Sequence, residues 1–133
     1  MKKTYHGSCH CGAVRFECEL DLVGGTSRCN CSICMKARFW KSVVKADAVR
    51  IARGEEELTE YQFGGNNIRH LFCRTCGIKP FGRGHLDEFG DFVAVNVACL
   101  DDATDEELAT APIQYEDGRN NRWESAPAET RHL

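Results

Sequence analysis

Seven of the chain's nine cysteines fall in three tight groups: Cys9-His10-Cys11-Gly12, Cys29-Asn30-Cys31-Ser32-Ile33-Cys34 and Cys73-Arg74-Thr75-Cys76-Gly77. Cys18 and Cys99 stand alone. An odd count cannot pair fully within one chain, and 133 residues can bury enough apolar surface to fold without covalent staples. The opening Met1-Lys2-Lys3-Thr4-Tyr5-His6-Gly7 has lysines but no apolar run behind them, so it does not read as a secretory signal. No stretch approaches the length of a membrane span. The expected setting is therefore cytoplasmic, where thiols stay reduced and close cysteine pairs bind metal or do redox chemistry.

Zinc in a structural site takes four tetrahedral ligands, with sulfur at about 2.3 Å. The first and third groups each offer two cysteines followed by glycine. A glycine there lets the backbone turn back and aim its amides at the sulfurs. Cys9, Cys11, Cys73 and Cys76 are thus the expected ligands of one closed site, a staple between the N-terminal strand and a distant hairpin. The competing reading of Cys73 and Cys76 is a thioredoxin-like redox pair. Such a pair opens a helix in a βαβ unit, whereas Gly77-Ile78-Lys79-Pro80 follows here and opposes one. His10, inside the first knuckle, points away from a shared metal.

The middle group has three thiols, Cys29, Cys31 and Cys34. Three protein ligands leave one zinc position open for water or substrate, the pattern of a catalytic site. An iron–sulfur cluster short of a ligand and a structural zinc completed by a histidine are the competing readings. If Ser32 caps a helix, the helix start lies beside these sulfurs and favours their thiolate forms. The expectation is two Zn²⁺ per chain, one structural and one catalytic. Cys18 reads as a buried small hydrophobe on an apolar strand face, and Cys99 reads similarly.

The formal net charge of -3 argues against a dedicated nucleic-acid binder. Lys36, Arg38, Lys41, Arg69 and Arg83 are the counter-charges available to an anionic substrate, each otherwise part of a solvated face. His70 and His85 read as surface or satisfied histidines that can also serve as proton shuttles. Without repeats or a Pro/Ser-rich linker, the chain reads as one domain over residues 1–124 with a short tail over 125–133.

The elements predicted are mostly antiparallel strands. Ala13–Leu20 alternates, with Val14, Phe16, Cys18 and Leu20 on one face. Phe39–Val44, Val49–Ala52 and Phe92–Ala98 read as strands, with Val93, Val95 and Val97 sharing a face. Leu58–Phe63 and Ile68–Phe72 form a hairpin around Gly64-Gly65-Asn66-Asn67. Two short helices are expected, Ser32–Arg38 and Thr104–Thr110, the second opened by the capping pattern Thr104-x-x-Glu107.

Taken together, Gly7-Ser8-Cys9-His10-Cys11-Gly12-Ala13-Val14-Arg15-Phe16, Cys29-Asn30-Cys31-Ser32-Ile33-Cys34 and Phe72-Cys73-Arg74-Thr75-Cys76-Gly77 are similar to the glutathione-dependent formaldehyde-activating enzyme family, which also includes the centromere protein V relatives. Val93-Ala94-Val95-Asn96-Val97 resembles the family's late strand. The resemblance implies a tent-like antiparallel β fold. It implies a structural zinc on Cys9, Cys11, Cys73 and Cys76, and a catalytic zinc on Cys29, Cys31 and Cys34. The implied activity is that of a carbon–sulfur lyase, joining glutathione or a similar thiol to formaldehyde or another small aldehyde, as in S-hydroxymethylglutathione synthesis. The implied partners are those small substrates, with neither nucleic acid nor membrane. Two other classes stay open: a non-enzymatic zinc-binding interaction module, and a redox or zinc sensor with Cys18 or Cys99 as its reactive thiol.

Overall fold

The structure is a computed structural model that describes residues 1–65 and 67–133. Asn66, within the turn expected at Gly64-Gly65-Asn66-Asn67, lies outside the described residues. The chain runs β1 (Lys3–Ser8), β2 (Arg15–Leu20), β3 (Thr26–Cys29), α1 (Ser32–Ala37), β4 (Trp40–Lys45), β5 (Val49–Arg53), β6 (Leu58–Tyr61), β7 (Ile68–Cys73), β8 (Phe81–Leu86), β9 (Gly90–Asn96), α2 (Asp105–Thr110) and β10 (Ile113–Glu116).

The strands form a three-stranded sheet, ordered β1-β2-β5, and a seven-stranded sheet, ordered β10-β3-β4-β9-β8-β7-β6. Every named pairing is antiparallel except β10 on β3, which is parallel. The alternation read in β2 is realised: Phe16, Cys18 and Leu20 are buried while Arg15 and Glu19 face water. They meet Leu71, Phe81, Val93 and Val95 of the larger sheet in one core. Phe16 and Phe81 join the two sheets edge to face, with ring centroids 5.5 Å apart, a favoured aromatic geometry. The fold is mainly β with two short helices, as expected.

β9 departs from a simple alternation. Phe92, Val93, Ala94 and Val95 are all buried, in a strand that lies between β4 and β8 inside the larger sheet, and a fully buried strand reads as a continuous apolar run. It also ends earlier than expected. The Asn96 side chain accepts a hydrogen bond from the Ala98 amide at 3.1 Å and turns the chain into a helical turn over Val97–Cys99.

α2 has the expected capping box: the Glu107 amide donates to Thr104 Oγ1 at 3.1 Å, and the Thr104 amide donates to Glu107 Oε1 at 2.9 Å. Glu107 also accepts from Lys3 Nζ at 3.0 Å and from the Tyr5 hydroxyl, so the cap fastens α2 to β1. α1 differs from its expected form. Its N-cap is Cys31, not Ser32, and Arg38 ends it in the left-handed region at φ 50°. Among the described residues, no helix is long and apolar enough to cross a membrane.

Candidate metal and thiol centres

The first and third cysteine groups meet. Cys9 and Cys11 sit in the turn after β1, and Cys73 and Cys76 in the knuckle that ends β7. Their four sulfurs all lie within 4.8 Å of one another, a group able to hold a metal ion. Sulfurs on a tetrahedron about 2.3 Å from a central zinc are separated by about 3.8 Å. The Cys9–Cys11 and Cys11–Cys73 sulfurs are 3.7 and 3.6 Å apart, so these two edges match those of such a site. The sequence-read glycines serve as expected. Gly12 (φ 80°) and Gly77 (φ 78°) take the left-handed conformation, their amides donating to the carbonyls of Cys9 at 3.1 Å and Cys73 at 2.8 Å.

Amides also reach the sulfurs. The Val14 amide donates to Cys9 Sγ at 3.3 Å. Desolvation raises the Cys76 thiol, but the amides of Cys11 and Ile78 and the neighbouring thiols outweigh it and hold the group at about 6. Such N–H groups offset thiolate charge, the role of outer partners at a metal site. His10 is exposed and outside the cluster.

The middle group is built differently. Cys29 ends β3, Cys31 caps α1 and Cys34 lies in its first turn. The Cys31 amide donates to Cys29 Sγ at 3.3 Å. That bond holds Cys31 extended, which makes it, rather than Ser32, the cap. Hydrogen bonds from Cys29 and then Cys34 hold the Cys31 thiol well below its ordinary range, with the Lys41 charge adding to the effect. The same bonding raises Cys34. The trio therefore shares protons around one thiolate. The tight ligand geometry of the first cluster is not repeated here: among the described residues, the four-sulfur group is the set whose ligand atoms all lie within 4.8 Å.

Asn30 anchors this loop. It is buried, its amide group donates to Asp117 Oδ1 at 2.8 Å, and its carbonyl oxygen accepts from the Arg119 amide at 2.9 Å. Beside it Lys41 pairs with Glu116 at 2.6 Å. Cys29 and Cys34 face a cleft walled by Met35, Phe39 and the tail residues His132 and Leu133. Arg38 Nη1 donates to the His132 carbonyl at 3.1 Å and lays the tail against this cleft.

Two residues near the trio carried no signal as a pair. Lys79 is buried, and its Nζ donates to His70 Nδ1 at 2.7 Å. Burial first, and then the Lys79 charge, push His70 down to about 4, so its ring is neutral and Nδ1 can accept. Burial also lowers the Lys79 amine, against the opposing pull of Cys34 and Cys31. Arg69 and His85, also singled out, are less suited to a dry site. Arg69 faces Glu60 at 3.9 Å and is largely exposed, and His85 is an exposed partner of Asp91.

Cys18 and Cys99 are buried as expected. Burial pushes both thiols up to about 12, which makes them poor nucleophiles.

Residues 4–117 match the family described as "Glutathione-dependent formaldehyde-activating enzyme". The fold is also similar to the crystal structure of a Rhodobacter sphaeroides protein solved as a structural-genomics target, with a TM-score of 0.69 and 36% sequence identity over 82% of this chain and 99% of that one. The family match takes in both knuckles, the trio, and the Asp117 carboxylate that anchors Asn30. The chain belongs to the glutathione-dependent formaldehyde-activating enzyme family.

Proposed function

We propose that the chain adds a small thiol, glutathione or a similar one, to formaldehyde or another small aldehyde, as a carbon–sulfur lyase. The observation that carries this reading is the trio: Cys29 and Cys34 hydrogen-bond to Cys31 and face a cleft, in a family member whose other four clustered sulfurs close on themselves. Cys9, Cys11, Cys73 and Cys76 would hold a structural zinc. Cys29, Cys31 and Cys34 would hold a second one with a position left open. Zinc bound there supplies Lewis acidity and keeps a thiol ligand deprotonated at neutral pH.

The chain's own residues do the positioning. Asn30 fixes the loop against Asp117 and Arg119. Phe39 and Met35 give the cleft apolar walls. Thiols add readily to small aldehydes, and holding the two reactants together accelerates the addition further. In the reaction the thiolate electron pair forms the C–S bond, the carbonyl π pair moves to oxygen, and a proton completes the hydroxyl.

Elemental analysis and a screen of thiol–aldehyde pairs test this reading. The wild type is expected to bind two zinc ions and to accelerate addition for at least one pair. Cys31→Ser is expected to lose one zinc and the activity while staying folded by circular dichroism. Retention of both ions and full activity in that variant would overturn the assignment.

A further inference from the structure

We propose that Lys79 is the proton donor to the aldehyde oxygen, with His70 as the residue that positions it. This rests on the thiol–aldehyde reading above and adds a catalytic group to it. A buried lysine ordinarily has a carboxylate partner. Lys79 has none among the described residues. One of its three N–H donors goes to His70 Nδ1 at 2.7 Å. Its ammonium also sits 4.1 Å from the centroid of the Phe39 ring, the aromatic wall of the trio's cleft.

His70 is itself held. Its ring stacks on Phe63 with centroids 5.5 Å apart and planes at 18°, and Phe63 stacks on Tyr61 at 5.7 Å. A neutral imidazole clamped in this way accepts from Lys79 and keeps the amine from swinging to solvent. An ammonium held between His70 and the Phe39 ring, with no carboxylate to neutralise it, is placed to meet negative charge that develops on a substrate oxygen in the adjoining cleft.

The step balances without a further reactant. The thiolate forms the C–S bond and the carbonyl π pair collects on oxygen. The Lys79 N–H bond breaks as its proton passes to that oxygen, giving the hydroxymethyl thioether. Lys79 is reprotonated from water, which took up the proton released when the thiol ionised.

The test compares wild type, Lys79→Met and Lys79→Arg as zinc-loaded full chains, with zinc content and circular dichroism verified for each. Loss of a general acid lowers the rate by about 100-fold or more. Lys79→Met is expected to show that loss in kcat with KM for the thiol little changed, and added ethylammonium is expected to restore part of it. Lys79→Arg keeps the charge but holds its proton too tightly to donate, and is expected to stay slow. Independently of activity, the ring ¹⁵N shifts of His70 are expected to move in Lys79→Met, because Nδ1 loses its donor. Wild-type kcat in Lys79→Met, no rescue by the amine, or unmoved His70 shifts would each overturn the proposal and leave the thiol–aldehyde reading standing. A wild type inactive on every pair overturns both.

Discussion

Gly118→Ala isolates what the segment after β10 does for the trio. A methyl group on Gly118 would stand 2.5 Å from Cys29 Sγ and 2.6 Å from the Trp123 ring. Ordinary contact begins at 3.4 Å, so on the sulfur side something must give by about 0.9 Å. Trp123 is 46% exposed and can move toward water. Cys29 is buried, ends a paired strand and accepts the Cys31 amide, so its sulfur moves only if the loop moves with it. Overpacking of this kind costs about 1–3 kcal/mol, against a stability of about 5–15 kcal/mol for a typical domain, so the variant folds. A misplacement near 1 Å in a reacting assembly costs roughly 100-fold in rate. The assay combines thermal melting, zinc content and affinity, and the rate of thiol–aldehyde addition. The expected result is a folded chain that keeps the zinc of the four-sulfur cluster, holds the second zinc more weakly and adds thiol about 100-fold more slowly. Unchanged affinity and rate would refute the claim that this turn sets the sulfur's position.

Other expectations separate the two cysteine centres and the helix cap. Zinc held by a structural site contributes roughly 10–16 kcal/mol of folding free energy in small zinc domains. Cys73→Ser or a strong chelator should therefore unfold the protein or lower its Tm sharply, whereas Cys31→Ser should melt near the wild type; calorimetry compares them. The Glu107 carboxyl is drawn from 4.5 to about 2 by the Thr104 amide first, then by the Tyr5 hydroxyl and Lys3. A lowered folded value means its contribution is fully present above pH 4.5 and is lost as pH falls toward about 2. Glu107→Gln should lower the urea midpoint at neutral pH and flatten its fall across that window. Parallel pH profiles for the two proteins would contradict this.

Where the signal was local, the sequence was enough to read it. β2 has its alternation, α2 its Thr104–Glu107 box, and the two knuckles their glycines, and each appears in the structure. β1, β3, β8 and β10 went unread. Gly82 and Gly84 dilute the apolar pattern of β8, and β3 and β10 are four residues each. All four are defined by their neighbours more than by their own composition. The cysteines marked both candidate centres because close spacing is itself local information. Lys79 and Asn30 could not be found in that way, and His70 was legible only as a satisfied histidine or proton shuttle without its partner. A lysine between Ile78 and Pro80 looks like any turn residue. Its meaning comes from His70 across β7 and Phe39 beyond α1, which only the tertiary fold supplies. The cap of α1 was misplaced by one residue for a similar reason, since a sulfur hydrogen bond fixes Cys31.

The parallel pairing of β10 with β3 sets an order in time. Cys11 meets Cys73 across 62 positions, so the four-sulfur cluster can close once the knuckle after β7 exists. Asn30 waits for Asp117, 87 positions away, and for Arg119 beyond it. A contact forms only once both of its partners have been made. On a chain made from its N-terminus, the stapling centre can therefore be finished and loaded while the trio is still unfastened. The open thiols take their working arrangement last, on a scaffold that is already closed.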